Sequence, residues 1–480
     1  MKINSILKVS LLASSLVLSV PSMSGEEWPC PQSACEVSWN SISESQREEV
    51  FKMAKDYKAF MNVVKNEISG IKEAIIRAEK AGFKEFKEGV KLKKGGKYYH
   101  NNRDRTAAFF IVGERDIREG LRVSAAHIDS PRIELKARPL YEKEGFAQFQ
   151  TNFHGGIKAY QWESLPLALV GHIDKKDGTR VHISVGLDEG DPVFVIPGLS
   201  PHVDGKLRDR KNRDVLAKEE MDPVVGSIPD EDGSVKGAVV SFLKHEYGVG
   251  IQDFVSAELM MVPALKARDV GFDRGLTAVY GQDDKLASYS SLQAILNYAG
   301  TPQKTIVAHI VDNEESGSNN NTGASSNDFV DLVERLIYTQ EGKNYRSPMT
   351  AGALRNTQVI SIDVNAGINP IWPSAWEKGN APRVGYGVNL KMYGRGFTAN
   401  SEYTAWIRKV LDDAEVPWQT ATYKVNGGGG GTVGKFYAER NMEVIDFGVA
   451  LFSLHTTYSV SSKVDVWNLY RAVGAFYKAD

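Results

Sequence analysis

Five short apolar runs in this sequence each lead into acidic or imidazole side chains. The runs and the side chains that follow them are 121–126 with His127 and Asp129, 276–280 with Asp283, 305–311 with Glu314 and Glu315, 359–362 with Asp363, and 444–454 with His455. Runs of this length are typical of strands, and in an open α/β sheet the carboxyl ends of the strands converge on one ligand crevice. The pattern therefore predicts a single pocket that contains all of these side chains.

The order of predicted elements changes along the chain. Residues 50–75 repeat apolar side chains at spacings of three and four, which predicts one long amphipathic helix that stops at Gly82 and is capped by Ser43 or Ser45. Residues 146–198 instead show alternating strands and turn signals, before strands and helices alternate again. We therefore predict an α/β fold interrupted by a β-rich insertion. The expected division is 25–139, 140–260 for the insertion, and 261–480.

The charge balance and hydropathy argue against several classes of partner. The 480 residues include 58 Lys and Arg against 60 Asp and Glu, a net charge of −2. A nucleic-acid binder needs a clear excess of basic residues to release counterions, so no nucleic-acid partner is expected. No run reaches the ~18 apolar residues of a membrane-spanning helix. We therefore expect no membrane partner once the N-terminal segment described next is removed.

The N-terminal segment has the order of regions found in a secretory signal peptide. Lys2 and Lys8 precede an apolar stretch, and Ser22 and Ser24 place small residues before a cut at Gly25. Residues 1–24 are therefore predicted to be a signal peptide outside the fold, and the mature protein is predicted to be periplasmic or secreted. Its two cysteines, Cys30 and Cys35, favour a local disulfide over a metal site, because two thiols alone do not complete a zinc shell.

The side chains predicted to share the pocket are those of a metal site. Two histidines and several carboxylates without cysteine suit Zn²⁺ or Mn²⁺ with open coordination positions. Their number exceeds the three protein ligands of one catalytic zinc and fits two ions that share a carboxylate. Of the neighbours Glu314 and Glu315, one can bind metal while the other stays free as a general base. Taken singly, each has a plainer interpretation, such as Asp283 and Asp284 capping the helix that follows.

A glycine-rich segment partly matches the sequence motif of a phosphate-binding loop. Residues 429–435 read G-x-x-x-x-G-K, but Phe436 stands where such a loop needs Ser or Thr to hold Mg²⁺. A backbone that approaches a substrate closely is the better interpretation.

These motifs together resemble the M18 family of zinc aminopeptidases, particularly its bacterial branch. The resemblance covers essentially all of the mature chain, in the family's order. The matching segments are 127–132 (HIDSPR), 155–162, 201–202, 267–273, 280–284 (YGQDD), 314–318, 363–366, 427–432 and 454–455.

The resemblance implies a role for each candidate residue. His127, Asp283 and Asp363 would hold one metal ion, and Asp283, Glu315 and His455 the other, with Asp283 as the bridge. Glu314 would be the general base, and Asp129 would orient His127. Contributors to substrate binding are expected at His202, Gly430 and Gly431. The resemblance also implies a zinc-exopeptidase-type central sheet flanked by helices. The β-rich insertion would build dimers that assemble into dodecamers.

The expected activity is that of a binuclear zinc aminopeptidase. A metal-bridged hydroxide would attack the scissile carbonyl of a peptide substrate while Glu314 transfers the proton to the leaving amine. The two ions are expected to be zinc, with manganese or cobalt as alternatives. Two other functions remain open: a metal-dependent carboxypeptidase or small-amide deacylase, and a catalytically weak secreted scaffold with the same fold.

Overall fold

A computed structural model describes residues 36–393, 396–425 and 430–480. The predicted signal peptide and the predicted Cys30–Cys35 disulfide lie outside these residues. The helices are α1 Glu44–Val63, α2 Glu67–Lys80, α3 Gly205–Arg208, α4 Val235–Tyr247, α5 Gln282–Leu296, α6 Asp328–Glu341, α7 Ser347–Arg355, α8 Ser401–Asp413, α9 Gly434–Ala438 and α10 Lys463–Lys478.

Twenty strands accompany these helices in the described part of the chain. They are β1 Lys84–Glu85, β2 Lys97–Asn102, β3 Thr106–Ile111, β4 Arg122–His127, β5 Arg132–Lys143, β6 Phe146–His154, β7 Leu167–Asp174, β8 Arg180–Val185, β9 Val224–Gly226, β10 Ala257–Pro263, β11 Arg268–Val270, β12 Leu276–Val279, β13 Ile306–Val311, β14 Gln358–Ile362, β15 Asn365–Ala366, β16 Val388–Lys391, β17 Trp418–Thr420, β18 Glu443–Gly448, β19 Ala450–Phe452 and β20 Ser459–Ser462.

The largest sheet has nine strands in the order β1-β2-β3-β13-β4-β14-β18-β16-β17. Its four middle strands, β13, β4, β14 and β18, run parallel to one another, so their carboxyl ends meet at one edge. Helices α1, α2, α5, α8 and α10 contribute to the apolar core on one face, and α6, α7 and α9 to the core on the other. Covering both faces accounts for the nearly continuous apolar sequence of these strands.

Two smaller sheets complete the structure. A six-stranded sheet, β8-β7-β10-β5-β6-β9, packs with α4 around a third apolar core, whereas a five-stranded sheet has the order β11-β12-β20-β19-β15. The strands of the six-stranded sheet fall between Arg132 and Pro263, the stretch of chain around the β-rich insertion expected from the sequence. The division into domains at residues 140 and 260 stays a prediction. No helix of the described residues has both the length and the apolar character to cross a membrane.

The prediction of one long N-terminal helix was wrong, because the helix is interrupted at residues 64–66 and the structure has two helices, α1 and α2. Val64 leaves the helical conformation, and the Asn66 side chain then caps α2 by accepting a hydrogen bond from the backbone N–H of Ser69. Side-chain capping competes successfully with continuation of the helix. The expected N-cap at Ser43 is confirmed, since it forms a capping box with Gln46.

Candidate metal centre

His127 is the last residue of β4, and its side chain is almost fully buried. Its Nδ1 lies 3.0 Å from the backbone oxygen of Asp129 and 3.2 Å from the Asp129 Oδ1. Its Nε2 points the other way, 3.2 Å from Asp283 Oδ1 and 3.8 Å from Glu314 Oε2. A proton on Nδ1 therefore leaves the Nε2 lone pair directed into the cluster, as a metal ligand requires.

Asp283 lies between two imidazoles. Its Oδ2 is 2.9 Å from His455 Nε2, on the side opposite the His127 contact. The Nδ1–H of His455 donates to the backbone oxygen of Gly156 at 2.8 Å, which also leaves a lone pair on Nε2. Because each carboxylate oxygen faces a different imidazole, Asp283 is placed to serve two ligand sets at once.

Three groups of side chains in the described part of the chain bring ligand atoms close enough to hold a metal ion. In each group, these atoms all lie within 4.8 Å of one another. The groups are His127, Glu314 and Glu315; His127, Asp284 and Asp363; and Asp283, Glu315 and His455. The last matches one ligand set implied by the resemblance. In the group with His127 and Asp363, however, the third member is Asp284, whereas the family resemblance implied Asp283 and gave Asp284 no role as a ligand.

Most carboxyl groups of this cluster are buried with too little positive charge nearby to offset that burial. Burial raises the pKa of Glu314 to about 7. Burial and the charge of Asp283 also raise the pKa values of Asp363 and Glu315 well above the usual range of a carboxyl group. At Asp283, by contrast, the charge interactions with His127 and His455 outweigh burial and lower the pKa. A divalent cation would supply the missing charge.

Unpaired buried atoms point to the same conclusion. His127 Nε2, Glu315 Oε1 and Asp284 Oδ2 are buried without a hydrogen-bond partner. A buried polar atom left unpaired is costly, and a coordinated ion removes that cost. Imidazole and carboxylate ligands without thiolates suit zinc with open positions. The residues present therefore fit a zinc site.

A cavity of about 830 Å³ opens above the cluster. Gly430 and Gly431 line it, as expected for substrate contacts, together with Trp376, Lys391 and Tyr423. A second cavity of about 520 Å³ shares Gly156 and His455 with the first and has aromatic walls. The structure does not bring His202 to either cavity, because it lies exposed in the loop between β8 and α3.

Comparison with known proteins identifies the family of the chain. The sequence profile described as Aminopeptidase I zinc metalloprotease (M18) matches residues 60–477. The chain belongs to the M18 family. A relative in Borrelia garinii named "Probable M18 family aminopeptidase 1" is 39% identical over 451 residues, covering 92% of this chain and 98% of its own.

Solved structures agree with this assignment. An M18 aminopeptidase from Thermotoga maritima has a TM-score of 0.88 at 38% identity, covering 92% of this chain and 99% of its own. A more distant likeness is the S. cerevisiae mApe1 dodecamer, with a TM-score of 0.73 at 21% identity, covering 89% of this chain and 96% of its own; it shows the fold alone. The predicted α/β fold and enzyme class are confirmed: members of this M18 family are zinc metallo-aminopeptidases, hydrolases that act as exopeptidases.

Sequence reasoning missed several residues near the cluster. Asp284 was interpreted only as a possible helix cap; its Oδ1 does accept from the backbone N–H of Ala287 at 3.4 Å, and its buried carboxylate also faces His127 and Asp363. Lys391, the last residue of β16, is only 7% exposed and lines the cavity. His154 ends β6 and contacts Asp129. A basic residue at the end of an apolar strand and a histidine before a Gly-Gly pair were the available signals.

Substitution of Gly155 by Ala is expected to disturb the metal centre. Its φ of +74° is strained for any other residue, and an added Cβ would lie 2.9 Å from Glu315 Oε2. We expect a loss of about 1–2 kcal/mol in the free energy of unfolding from the backbone alone, together with weaker zinc binding. Urea denaturation and competition with a chromophoric chelator measure the two effects.

Gly145 offers a matched control, since its φ is +78° and an added Cβ meets nothing within 4 Å. Gly145→Ala should cost similar backbone strain and leave zinc affinity unchanged. Equal zinc affinity in the two variants would show that crowding of Glu315 has no effect.

Proposed function

We propose that the cluster around Asp283 holds two zinc ions and that the protein removes N-terminal residues from peptides with Glu314 as the general base. The observation that supports this most strongly is the Asp283 carboxylate, whose two oxygens face His127 and His455 separately. A carboxylate that bridges two ions needs a ligand set on each side. His127 and Asp363 would complete one set, and Glu315 and His455 the other.

The chemistry supplied by the metal is that of a Lewis acid. Two zinc ions held here would lower the pKa of a water molecule and polarise the scissile carbonyl. Asp283, Asp363, Glu315 and the two histidines position this chemistry at the base of the 830 Å³ cavity, where a peptide end has room to enter.

Glu314 has the geometry of a general base. Its carboxylate lines the cavity, and its Oε2 lies 3.8 Å from His127 Nε2. Its backbone N–H donates to Asp129 Oδ1 at 3.0 Å, which fixes the start of the short helical turn that carries it. Glu314 would take a proton from the attacking water and deliver it to the departing amine.

Asp129 would position the residues that act on the substrate. The carboxylate is fully buried and accepts hydrogen bonds from the backbone N–H groups of Glu314 and Glu315, at 3.0 and 3.1 Å. It also lies beside His127 Nδ1, so it would favour the tautomer that directs Nε2 to the metal.

Assembly into homo-oligomers forms part of the proposal. The yeast mApe1 of similar fold is a dodecamer, and the resemblance of the sequence implies dimers that build such a particle. His202 is exposed and lines neither cavity of its own chain, so a neighbouring copy is the proposed route by which it would reach a substrate. Light scattering coupled to size exclusion would give the mass directly, and a monomer would rule out this arrangement.

We also propose that the protein is exported from the cytoplasm. If residues 1–24 direct export, the mature protein recovered from the cell envelope or medium should begin near Gly25. N-terminal sequencing of that protein tests the cut.

The function is tested by a panel of peptides that differ in their first residue, each with a free and an N-acetylated amino terminus. We expect the purified protein to release free amino acids from the unblocked peptides only. Release should stop on chelation and return with zinc, manganese or cobalt, and the most effective ion would identify the preferred metal.

Release from acetylated peptides would contradict the aminopeptidase proposal and move the cleavage to the other terminus or to another amide. Binding of unblocked peptides without release, with metal bound, would instead favour a scaffold. The panel also ranks the first residue that the cavity accepts.

A further inference from the structure

We infer that His154 is a positioning residue of the metal centre, through which the six-stranded sheet holds the carboxylate of Asp129. This inference rests on the proposed function, since it assigns His154 a part in that same site. His154 is the last residue of β6 and is only 7% exposed. Its Nε2–H donates to Asp129 Oδ2 at 2.8 Å, the shortest of the hydrogen bonds that this carboxylate accepts.

The Asp129 carboxylate is held at both oxygens. Oδ1 accepts from the backbone N–H of Glu314 and faces His127 Nδ1, while Oδ2 accepts from the backbone N–H of Glu315 and from His154. Without His154, Oδ2 would keep one partner, the backbone N–H of Glu315, and the carboxylate would be held less firmly. The backbone N–H groups of Glu314 and Glu315 donate to these two oxygens, so rotation of the Asp129 carboxylate would move both residues.

Glu134 and Arg132 lie on the side of the His154 ring that faces away from Asp129. Its Nδ1 lies 3.4 Å from Glu134 Oε1, and Arg132 holds that oxygen through Nε at 3.1 Å. Arg132 is also 3.1 Å from Glu67 Oε2, at the start of α2. In the pairing of β5 with β6, Arg132 lies directly opposite His154. The imidazole therefore lies between Asp129 and the Glu134–Arg132 pair, with Nε2 facing Asp129.

The two residues after His154 also touch the metal centre. The Gly155 position packs against Glu315, and the Gly156 backbone oxygen accepts from His455 Nδ1. The end of β6 thus contacts Glu315 and His455 of one proposed ligand set. Through His154 and Asp129 it also reaches His127 of the other set. A residue that orients ligands in this way typically changes metal affinity or activity by about 10–100-fold when it is replaced.

The test compares His154→Phe with His154→Gln. Phenylalanine keeps an aromatic ring of similar size without the donor, whereas glutamine keeps an N–H at about the position of Nε2. We expect His154→Phe to lose about 10–100-fold in zinc affinity and in kcat, with KM changed by less than about 3-fold. His154→Gln should recover most of both. A chromophoric chelator measures affinity, and circular dichroism checks the fold.

A role in packing alone predicts the opposite order, with the phenylalanine variant close to wild type and the glutamine variant impaired. That result, or equal zinc affinity in both variants and the wild type, would overturn the inference. If His154→Phe fails to fold, His154→Asn replaces it: its amide is polar but one methylene too short to reach Asp129. Asparagine should then lose zinc affinity relative to glutamine, and equal affinity would contradict the inference.

His182 provides the control, because it lies exposed on β8 of the same sheet. His182→Phe and His182→Gln should leave zinc affinity unchanged. The zinc measurement also separates this inference from the proposed function. A wild-type protein that binds zinc without releasing amino acids would contradict the function, while the order of the His154 variants would still decide the inference.

Discussion

Replacement of Glu314 by Gln is expected to abolish nearly all turnover while both metal ions stay bound. Gln keeps the shape of the side chain but has no carboxylate to accept a proton from water, and a general base typically contributes 10²–10⁴-fold. Zinc should remain, because the proposed ligand sets around Asp283 use the other acidic side chains. Steady-state kinetics with an unblocked peptide and zinc content by atomic absorption measure the two quantities on the same sample.

The neighbouring Glu315→Gln variant is the matched control, one residue away with the same chemical change. Its side chain belongs to the group with Asp283 and His455 and is almost fully buried, so its loss should release metal. Glu314→Gln with kcat within about 10-fold of wild type, or with reduced zinc content, would contradict the assignment of the base. The pair thereby separates proton transfer from metal binding at adjacent positions.

From the sequence, the residues of the site were predicted more accurately than the sheets to which their strands belong. His127 ends β4, while Asp363 and the Glu314–Glu315 pair follow β14 and β13; the three strands are parallel neighbours in the nine-stranded sheet. Apolar runs that end in charged side chains have this meaning in a parallel sheet, because the carboxyl ends of its strands share one edge.

Asp283 and His455 reach the same cluster by another route. They follow β12 and β19, which belong to the five-stranded sheet, so the expectation of one sheet for all five strand ends was wrong. The run 444–454 is also two strands, with Val449 between β18 and β19. An apolar run shows that a strand is buried but carries no information about which sheet it joins.

Contacts between distant segments could not be predicted from local patterns. Asp284 stands next to Asp283, yet only the three-dimensional structure places its carboxylate against His127 and Asp363. His154 lies 25 residues after Asp129 and reaches it because β5 and β6 form a hairpin. Local periodicity describes one element at a time, whereas these pairings depend on the register and packing of several.

Conversion of Asp283 to Asn is expected to remove both metal ions, and this is the sharpest test of a shared ligand. Asn retains one carbonyl oxygen, so one of the contacts to His127 and His455 is replaced by an amide that does not bind zinc. The charge that balances the cation is lost as well. We expect zinc content to fall from two ions toward none, and kcat/KM to fall by at least about 10³-fold, since the proposed mechanism uses both ions.

Asp363→Asn and His455→Asn decide whether Asp283 is a bridge. Each removes a ligand from one proposed set only, so each should lose one ion and keep the other. Asp465 controls for the cost of neutralising a buried carboxylate: it is fully buried and accepts hydrogen bonds from the backbone N–H groups of Gly385 and Gly387. Asp465→Asn should reduce stability and leave zinc content at two. If Asp283→Asn retained one ion, its carboxylate would be a ligand of a single ion, and the two-ion mechanism would need another bridge.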